Sequence, residues 1–555
     1  MSLSLALFLF VQTPDAAPKE PPPRIAVETI SQALHAIGLS FSEDQLKLMQ
    51  KSVSEQLDGY EHLQKIAIDN SLPPALTFSV MLPGTAIKLP RFNPQSIALP
   101  EAARPANLED LAFADIPTLA SLIRSKKVSC VELAQMYIAR LKRLDPVLHC
   151  VVNFTEERAL KQAESLDREL KDGKWRGLLH GIPWGAKDLL AVKGTPTTWG
   201  SKIFEHQVLD LDATVVTRLD TAGAVLIAKT TLGEFAYGDL WFGGRTRTPW
   251  NPEKGSSGSS AGSCAATAAG CMAFAIGTET LGSIVSPSNA CGTTGLRPTF
   301  GRVSRHGAMA LSWSMDKIGP ITRTVQDASI VLAAIQGGDG FDGSVRDVPY
   351  TAGAPVSVAG WKVGYVKSAF DHAKEIAANT PGGSQHDDTH VLDELKKLGV
   401  ELVPIELPDD IPAGDLLTIL TAEAATAFDE LTRDGRDAQM VWQAEEAWPN
   451  IFRAARLIPA VEYIRANRLR TRLMREMQKV MDSVDLYVAP SFGGSSLVIT
   501  NLTGHPAVVA PCAFGKDDLP HSITFTGQLF GEAELCALAD AWQRSTDYHR
   551  RHPKL

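Results

Sequence analysis

The sequence lacks the long apolar run that a membrane-spanning helix requires. Such a helix needs about 20 consecutive apolar residues, and no segment of the 555-residue chain approaches that length. Dense runs of Lys and Arg are also missing, and 54 basic residues face 63 acidic ones, which gives a formal net charge of −9. The short apolar runs therefore predict no membrane span. Because nucleic-acid binding needs a basic patch, we also expect no nucleic-acid partner.

Paired cysteines and metal-ligand motifs are also missing. None of the seven cysteines forms a CxxC pair, and most of them stand among Ala, Val and Gly, which is typical of buried thiols. The sequence contains no HExxH motif and no metal-spaced cluster of Cys and His, although zinc hydrolases need such ligands. We therefore expect no disulfide framework, no metal and no cofactor.

What the chain does contain is apolar mass for a large core, since 44% of its residues are hydrophobic. Short apolar runs alternate with amphipathic helical stretches after residue 149. The runs lie at 150–154, 224–230, 361–366, 401–407, 485–490 and 506–511, and helical stretches lie at 156–171 and 461–481. Apolar strands separated by helices predict an α/β fold with a large mixed, mostly parallel β-sheet covered by helices.

The N-terminal region differs from the rest of the chain. Residues 1–24 combine an apolar segment (LSLALFLFV), similar to a short signal peptide, with a Pro-rich linker. No Lys or Arg precedes that segment and its cleavage site is poor, so the location stays open between export, which we favour, and the cytoplasm. Residues 25–100 are predicted to form a helical extension, and residues 101–555 one catalytic domain without internal repeats or linkers.

The most unusual segment is a cluster of Gly and Ser at 254–270 (KGSSGSSAGSCAATAAG). It predicts a loop that enters a tightly packed helix and presents hydroxyl and N–H groups, which favour developing negative charge. A flexible linker is disfavoured, because an apolar run follows at once. Residues 258–262 formally match the nucleophile elbow of α/β-hydrolases, but the strand that this motif requires does not precede them.

Two further segments carry candidate chemistry. Residues 181–190 (GIPWGAKDLL) place Lys187 in an apolar run, where a buried ammonium must be paired or neutral. For this residue alone, pairing with the adjacent Asp188 is the simplest interpretation. Residues 277–287 (GTETLGSIVSP) follow an apolar stretch, as a strand-to-loop transition would.

Taken together, these motifs resemble those of the amidase signature family in their residue types and in their order along the chain. Ser259 lies 72 residues after Lys187, and Ser283 lies 24 residues further on. Two more segments, 291–328 (CGTTGLRPTFGRVSRHGAMALSWSMDKIGPITRTVQDA) and 500–514 (TNLTGHPAVVAPCAF), are also similar to the family. The resemblance runs from about Asp115 to the C-terminus and implies the amidase-signature fold.

The resemblance implies a Ser–Ser–Lys triad. Lys187 corresponds to the catalytic lysine, Ser259 to the bridging serine and Ser283 to the nucleophile. Burial can lower the pKa of a lysine enough for it to serve as a base. In the family, the peptide bond that enters the bridging serine is cis, which would be the Gly258–Ser259 bond here.

The resemblance also assigns an oxyanion hole to four successive backbone N–H groups, those of Thr280, Leu281, Gly282 and Ser283. This sequence departs from the usual family pattern around that loop. Glu279 stands where Asp is common, Leu281 replaces the first residue of a Gly-Gly pair, and Val285 replaces an Arg. We expect Glu279 and Val285 to alter the surroundings of the site, and Leu281 to change the shape of the loop.

The function implied is that of a stand-alone serine hydrolase that cleaves carboxamides or related C–N bonds, such as carbamates, and also esters, through an acyl-enzyme. The alternatives are the glutamine-hydrolysing component of a tRNA-dependent amidotransferase, and a catalytically silent binding protein of the same fold. Trp241 and Phe242 are candidates to line an acyl pocket, although core aromatics are an equal interpretation. We expect a small-molecule substrate, and a homodimer stays open.

Overall fold

The structure is a computed structural model. It describes residues 24–555 except for residues 39, 41, 45, 48, 49, 51, 52, 55–69, 71–77, 89, 93, 355, 380–386 and 516. The apolar segment and nearly all of the Pro-rich linker lie outside the described residues. No helix in the described ranges combines the length and hydropathy of a membrane span.

The chain divides into two compact units, residues 1–69 and 70–555. In the first unit, helix α1 (Val27–Ala36) lies within the predicted helical extension and buries Ile30. The side-chain amide of Gln50 donates a hydrogen bond of 2.9 Å to the carbonyl of Ile25 within this unit. The predicted domain boundary after residue 100 stays a prediction.

Two capped helices begin the regular structure of the second unit. Helix α2 (Ile116–Arg124) starts at Asp115, whose carboxylate accepts a first-turn N–H bond of 2.9 Å. Helix α3 (Cys130–Leu148) starts with a capping box between Ser129 and Glu132. Each cap satisfies N–H groups that the helix itself leaves unpaired, so both starting points are encoded locally.

The strands form one large sheet and two small ones. The large sheet contains β1 (Val151–Phe154), β2 (Pro183–Lys187), β3 (Val225–Thr230), β8 (Phe274–Glu279), β9 (Thr294–Arg297), β10 (Lys317–Thr322), β11 (Lys362–Val366), β12 (Glu401–Ile405), β13 (Leu486–Pro490), β14 (Ala507–Phe514) and β15 (Pro520–Gly527). The small sheets pair β4 (Leu240–Trp241) with β5 (Gly244–Arg245), and β6 (Arg247–Thr248) with β7 (Asn251–Gly255).

Helices surround and connect these strands. They are α4 (Glu156–Lys171), α5 (Thr214–Ala222), α6 (Ala261–Ala268), α7 (Val285–Cys291), α8 (Val325–Ile335), α9 (Lys367–Asn379), α10 (Thr389–Lys397), α11 (Thr418–Ala427), α12 (Asp429–Arg433), α13 (Trp448–Ala455), α14 (Ala460–Asp482), α15 (Ser496–Thr503) and α16 (Glu532–Ser545). Single 3₁₀ turns lie at Leu108–Leu111, Lys202–Phe204, Glu234–Ala236, Asp415–Leu417, Arg436–Gln439 and Tyr548–Arg550.

The strand order of the large sheet is β1-β3-β2-β8-β10-β9-β14-β15-β13-β11-β12. Strand β2 is parallel to β3 and β8, and β11 is parallel to β13 and β12. The other six neighbouring pairs are antiparallel. The α/β class with a mixed sheet is confirmed. Parallel pairs are fewer than the sequence suggests, since only four of the ten neighbouring pairs are parallel.

The centre of the sheet is buried on both faces. Every residue of β2, β3 and β8 is buried, which accounts for the continuous apolar run at 224–230 from which β3 was predicted. One buried ion pair joins the segment between β9 and β10 to α16, because Arg302 Nη2 lies 2.7 Å from Glu532 Oε2 and neither side chain is exposed. Glu532 also accepts a backbone hydrogen bond from Thr299 at 2.8 Å.

Glu532→Gln should lower the free energy of unfolding by about 3 kcal/mol, because Arg302 would stay buried without its counter-charge. The matched control is Asp393→Asn, which breaks a pair with Lys396 whose side chains are 71% and 62% exposed. That change should cost less than about 0.5 kcal/mol. Denaturant unfolding measures both, and equal effects would contradict the account of the buried pair.

Candidate active site

Lys187 ends strand β2 in a fully buried position. Its Nζ donates hydrogen bonds to three hydroxyl oxygens, those of Ser259 at 2.8 Å, Thr278 at 2.9 Å and Ser260 at 3.0 Å. The carbonyl oxygen of Thr278 lies 3.4 Å from the same nitrogen. All of these partners are uncharged, so no carboxylate among the described residues directly stabilises an ammonium at this position.

The interpretation that Lys187 pairs with Asp188 is wrong. Asp188 Oδ1 lies 2.7 Å from Lys229 Nζ, with both side chains fully buried, and its Oδ2 accepts a backbone hydrogen bond of 2.8 Å from Thr198. Successive side chains of an extended chain point to opposite faces, which separates the two neighbours. The Asp188 charge is therefore neutralised by Lys229.

This environment sets the protonation of Lys187. Burial lowers the pKa of Lys187 to about 7, while Cys264 and the carboxyl groups of Asp316 and Glu279 act in the opposite direction. Removal from water disfavours the charged ammonium. Hydrogen bonds to neutral hydroxyls offset only part of that free-energy cost. A large fraction of this amine is consequently uncharged at neutral pH.

The Gly/Ser cluster forms a tight loop that enters the buried helix α6, as predicted. The Gly258–Ser259 peptide bond is cis. A Cβ atom added to Gly258 would lie 1.8 Å from the carbonyl oxygen of Gly238, so the close approach of the two segments requires glycine. The backbone N–H of Ser257 donates to Asp239 Oδ2 at 3.1 Å, which fixes the start of the loop.

The two serines beside Lys187 have different hydrogen-bond patterns. Ser260 Oγ donates to the carbonyl of Thr278 at 3.1 Å and accepts from its backbone N–H, also at 3.1 Å. Ser259 is 1% exposed, and in the described part of the chain its hydroxyl bonds to Lys187 alone. The hydroxyl proton of Ser260 is thus donated to a backbone carbonyl. The Ser259 hydroxyl is free of such a bond to any described residue, so it can both donate a proton and accept a proton.

Ser283 lies on the loop that runs from β8 to α7, next to the Gly/Ser loop. The backbone N–H of Ser260 donates to the carbonyl of Ser283 at 3.1 Å, and the hydroxyls of Ser257 and Ser286 lie 2.6 Å apart. Ser283 is 8% exposed, and its hydroxyl bonds to no described residue. The fold thus places Ser259 and Ser283 on adjoining loops without a hydrogen bond between their hydroxyls.

The four predicted oxyanion donors lie on this same loop. Among the described residues, none accepts a hydrogen bond from the backbone N–H groups of Thr280, Leu281, Gly282 and Ser283. Within these four residues a positive φ occurs at Gly282 alone, at +81°. Leu281 is therefore accommodated without the left-handed conformation that a side chain disfavours.

The carboxylate of Glu279 holds the loop between β8 and α7 in place. Its Oε1 accepts a hydrogen bond of 2.6 Å from Arg297, and its Oε2 accepts backbone bonds from Ile284 at 2.8 Å and Val285 at 3.0 Å. Burial alone would raise the pKa of Glu279, but the positive charges of Arg297 and Lys317 outweigh burial and hold the pKa at about 2. The ionised carboxylate therefore fixes both ends of the segment that carries Ser283.

A cleft of about 720 Å³ opens beside these loops. Thr278 and Thr280 contribute to its wall, so the cleft reaches both the Lys187 environment and the oxyanion loop. Most of the remaining lining comes from one stretch, residues 305–318, together with Phe341 and Asp342. The sequence assigned no lining residue here, although the stretch belongs to a segment that resembles the family.

Trp241 and Phe242 do not line this cleft. The Trp241 ring is buried and packs edge-on against Phe242, with 4.9 Å between ring centroids. The backbone N–H of Phe242 donates to the carbonyl of Gly200 at 3.1 Å. Their role in substrate binding stays a prediction.

Sequence reasoning missed two of the groups around Lys187, the hydroxyls of Ser260 and Thr278. A signal for them existed, because a lysine in an apolar strand requires polar partners that do not restore its charge. Hydroxyl residues next to the predicted bridging serine and at the end of the following strand were the available candidates.

Comparison with known proteins identifies the family of this chain. A family model described as Amidase matches residues 132–497. The chain belongs to the amidase signature family. One relative is a glutamyl-tRNA(Gln) amidotransferase subunit from Coxiella burnetii, 32% identical over 481 residues, which cover 78% of this chain and 97% of that protein. The protein of the same name from Roseiflexus sp. is 34% identical, over 77% of this chain and 96% of its own.

Solved structures of the family are similar as well. The native peptide amidase from Stenotrophomonas maltophilia superimposes with a TM-score of 0.70 at 29% identity, over 80% of this chain and 99% of that one. This confirms the amidase-signature fold expected from the sequence. The chain is thus an amidase-family enzyme that acts on C–N bonds.

Replacing the buried amine tests its protonation without an assay of activity. Above about pH 7 the folded protein has released the Lys187 proton, whereas the unfolded chain keeps it until near the ordinary value of 10.5. The unfolded state then binds one more proton, so the contribution of Lys187 to stability rises with pH by up to about 1.4 kcal/mol per unit.

Lys187→Met should remove this rise. The variant should be more stable than the parent at pH 7, and its advantage should shrink steadily towards about pH 10. Unfolding free energies measured across this range for both proteins provide the check. A stability difference that does not vary with pH would show that Lys187 keeps its ordinary pKa.

Proposed function

We propose that this chain is a serine hydrolase that cleaves carboxamides and related C–N bonds of small molecules through an acyl-enzyme. Ser283 is the nucleophile, Lys187 the general base and Ser259 the relay between them. The observation that carries the proposal is the fully buried amine of Lys187, which is surrounded by hydroxyls and has a pKa of about 7. Such an amine is a base at neutral pH, as a weakly nucleophilic hydroxyl requires.

The first step forms the tetrahedral intermediate that precedes the acyl-enzyme. The neutral Nζ of Lys187 takes the Ser259 proton while Ser259 Oγ takes the proton of Ser283, whose oxygen attacks the carbonyl carbon. The carbonyl oxygen becomes an oxyanion and accepts hydrogen bonds from the unpaired N–H groups of residues 280–283. One such donor is worth about 3 kcal/mol in other enzymes. Rotation of the Ser283 side chain towards Ser259 completes the relay when substrate fills the cleft.

The next step returns the proton and forms the acyl-enzyme. The ammonium of Lys187 gives its proton through Ser259 to the nitrogen of the substrate, the C–N bond breaks and an amine or ammonia leaves. A water molecule then attacks the ester on Ser283 by the same route, and the acid product leaves. Carbamates and esters carry the same carbonyl, so one proton path serves all three substrate classes.

Ser283→Ala should reduce kcat by about 10⁴-fold or more while the fold stays intact, because the nucleophile is lost. The matched control is Ser286→Ala, three residues further along, whose hydroxyl bonds to Ser257 at 2.6 Å. That variant should stay within about tenfold of the parent, since its hydroxyl takes no part in the relay. Hydrolysis of aryl amides, fatty amides, carbamates and esters, with circular dichroism as the folding check, provides the readout. Substantial turnover by Ser283→Ala would refute the assignment.

The pH dependence of kcat/KM should show a limb with an apparent pKa near 7. The rate should fall on the acid side, because protonated Lys187 cannot accept a proton. Steady-state rates of the free enzyme across neutral pH test this. A maximum in acid with a fall above neutrality is incompatible with a lysine base.

A second candidate is the glutamine-hydrolysing component of an amidotransferase. It is favoured by the two amidotransferase relatives, which are 32% and 34% identical and are matched over 97% and 96% of their lengths. Release of ammonia from glutamine, stimulated by added amidotransferase partner proteins and exceeding turnover of the amide panel, would select this candidate. Ready hydrolysis of simple amides by the isolated chain selects the stand-alone enzyme.

A catalytically silent protein of the same fold is separable by covalent labelling. A fluorophosphonate probe reacts covalently only with an activated serine. The proposal predicts labelling of the parent protein and none of Ser283→Ala. An unlabelled parent protein would revive the silent alternative.

A further inference from the structure

Three metal-ligating side chains that take no part in the proposed reaction converge on one point. They are Asp388, which immediately precedes α10, Cys512 on β14 and His521 on β15. Asp388 Oδ1 lies 3.8 Å from Cys512 Sγ, and Asp388 Oδ2 lies 3.2 Å from His521 Nε2. One ligand atom from each of the three residues lies within 4.8 Å of the others.

An irregularity in the sheet brings the thiol to this point. In the pairing of β14 with β15, Pro511 opposes Ser522 and Ala513 opposes His521, so Cys512 is an extra residue in its strand. A β-bulge of this kind redirects a side chain and is common next to functional sites. The carbonyl of Cys512 accepts a hydrogen bond of 3.0 Å from His390, which holds the bulge.

Burial gives the cluster an electrostatic requirement. Asp388 is 1% exposed and Cys512 is fully buried, whereas the His521 side chain is 15% exposed and gives access from solvent. A carboxylate is costly to bury without a cation, and the partner of Asp388 is the imidazole of His521, which is a cation only when protonated. A divalent ion between the three side chains would supply that positive charge.

The donor set selects the class of ion. A thiolate, an imidazole and a carboxylate are the ligands of zinc-type ions, at about 2.3 Å for sulfur and about 2.0–2.2 Å for nitrogen and oxygen. Tetrahedral geometry with those bonds separates the ligands by about 3.3–3.6 Å, and the Asp388 carboxylate lies 3.8 Å from the thiol through Oδ1 and 3.2 Å from the imidazole through Oδ2. Calcium and magnesium prefer oxygen ligands alone.

We propose that Asp388, Cys512 and His521 bind one divalent zinc-type ion, with a water molecule as the fourth ligand. On binding, the thiol of Cys512 releases its proton to solvent and the imidazole of His521 presents a lone pair. The ion would tie the start of α10 to the β14–β15 pair. Its effect is therefore on local stability, separate from the chemistry at Ser283.

The test uses the full-length protein, stripped with a chelator and then titrated with Co²⁺ as an optical probe. We expect one equivalent to bind with a thiolate-to-cobalt charge-transfer band, which Zn²⁺ displaces. Cys512→Ser should abolish the band, and His521→Ala should weaken Zn²⁺ binding at least tenfold. The matched control is Cys536→Ser, a buried thiol on α16 that contacts the hydroxyl of Tyr350 at 3.7 Å. It should keep the band and the affinity.

The outcomes decide the proposal in every case. If the parent protein binds no Co²⁺ or Zn²⁺, or binds it without a thiolate band, the site does not exist. The same follows if His521→Ala binds Zn²⁺ as tightly as the parent, which decides the matter even where Cys512→Ser fails to fold. Amide hydrolysis by the stripped protein, measured in parallel, should be unchanged, so failure of the metal site leaves the proposed function intact.

Discussion

The site depends on one constraint, that the amine of Lys187 is removed from water and given only neutral partners. The hydroxyl oxygens of Ser259, Ser260 and Thr278 lie 2.8, 3.0 and 2.9 Å from its Nζ. The nearest carboxylate in sequence, Asp188, is bound to Lys229 instead. If Asp188 could reach Lys187, the ammonium would be stabilised and the base lost. The second buried lysine therefore preserves the chemistry of the first.

Charged side chains lie near the Lys187 amine, but no described one bonds to it. Ionised Glu279 binds Arg297 and the N–H groups of Ile284 and Val285, so it orders the segment that presents Ser283. The backbone N–H groups of residues 280–283, which we propose as oxyanion donors, have no partner among the described residues, and their loop borders the cleft that Thr278 and Thr280 line. Preorganised donors of this kind stabilise a charge that develops only in the transition state.

Much of the fold could be predicted because its signals are local. The helical stretch at 156–171 coincides with α4, and the apolar runs coincide with strands of the central sheet. Motif order identified the family, and the proposed roles of Lys187, Ser259 and Ser283 rest on that resemblance. Contacts between distant segments could not be predicted. Neither the partner of Asp188 nor the cleft wall at 305–318 is encoded by residue spacing, since tertiary packing decides both.

The central claim is that Lys187 has a strongly lowered pKa, and NMR measures it directly. Lysine side chains labelled with ¹³C at Cε report their protonation, and the Lys187 signal is assigned by its absence from Lys187→Met. The account predicts a titration midpoint near 7 for this one signal. A midpoint close to the ordinary lysine value of 10.5 would contradict it, because the amine would then be an ammonium at every pH at which a hydrolase of this design works.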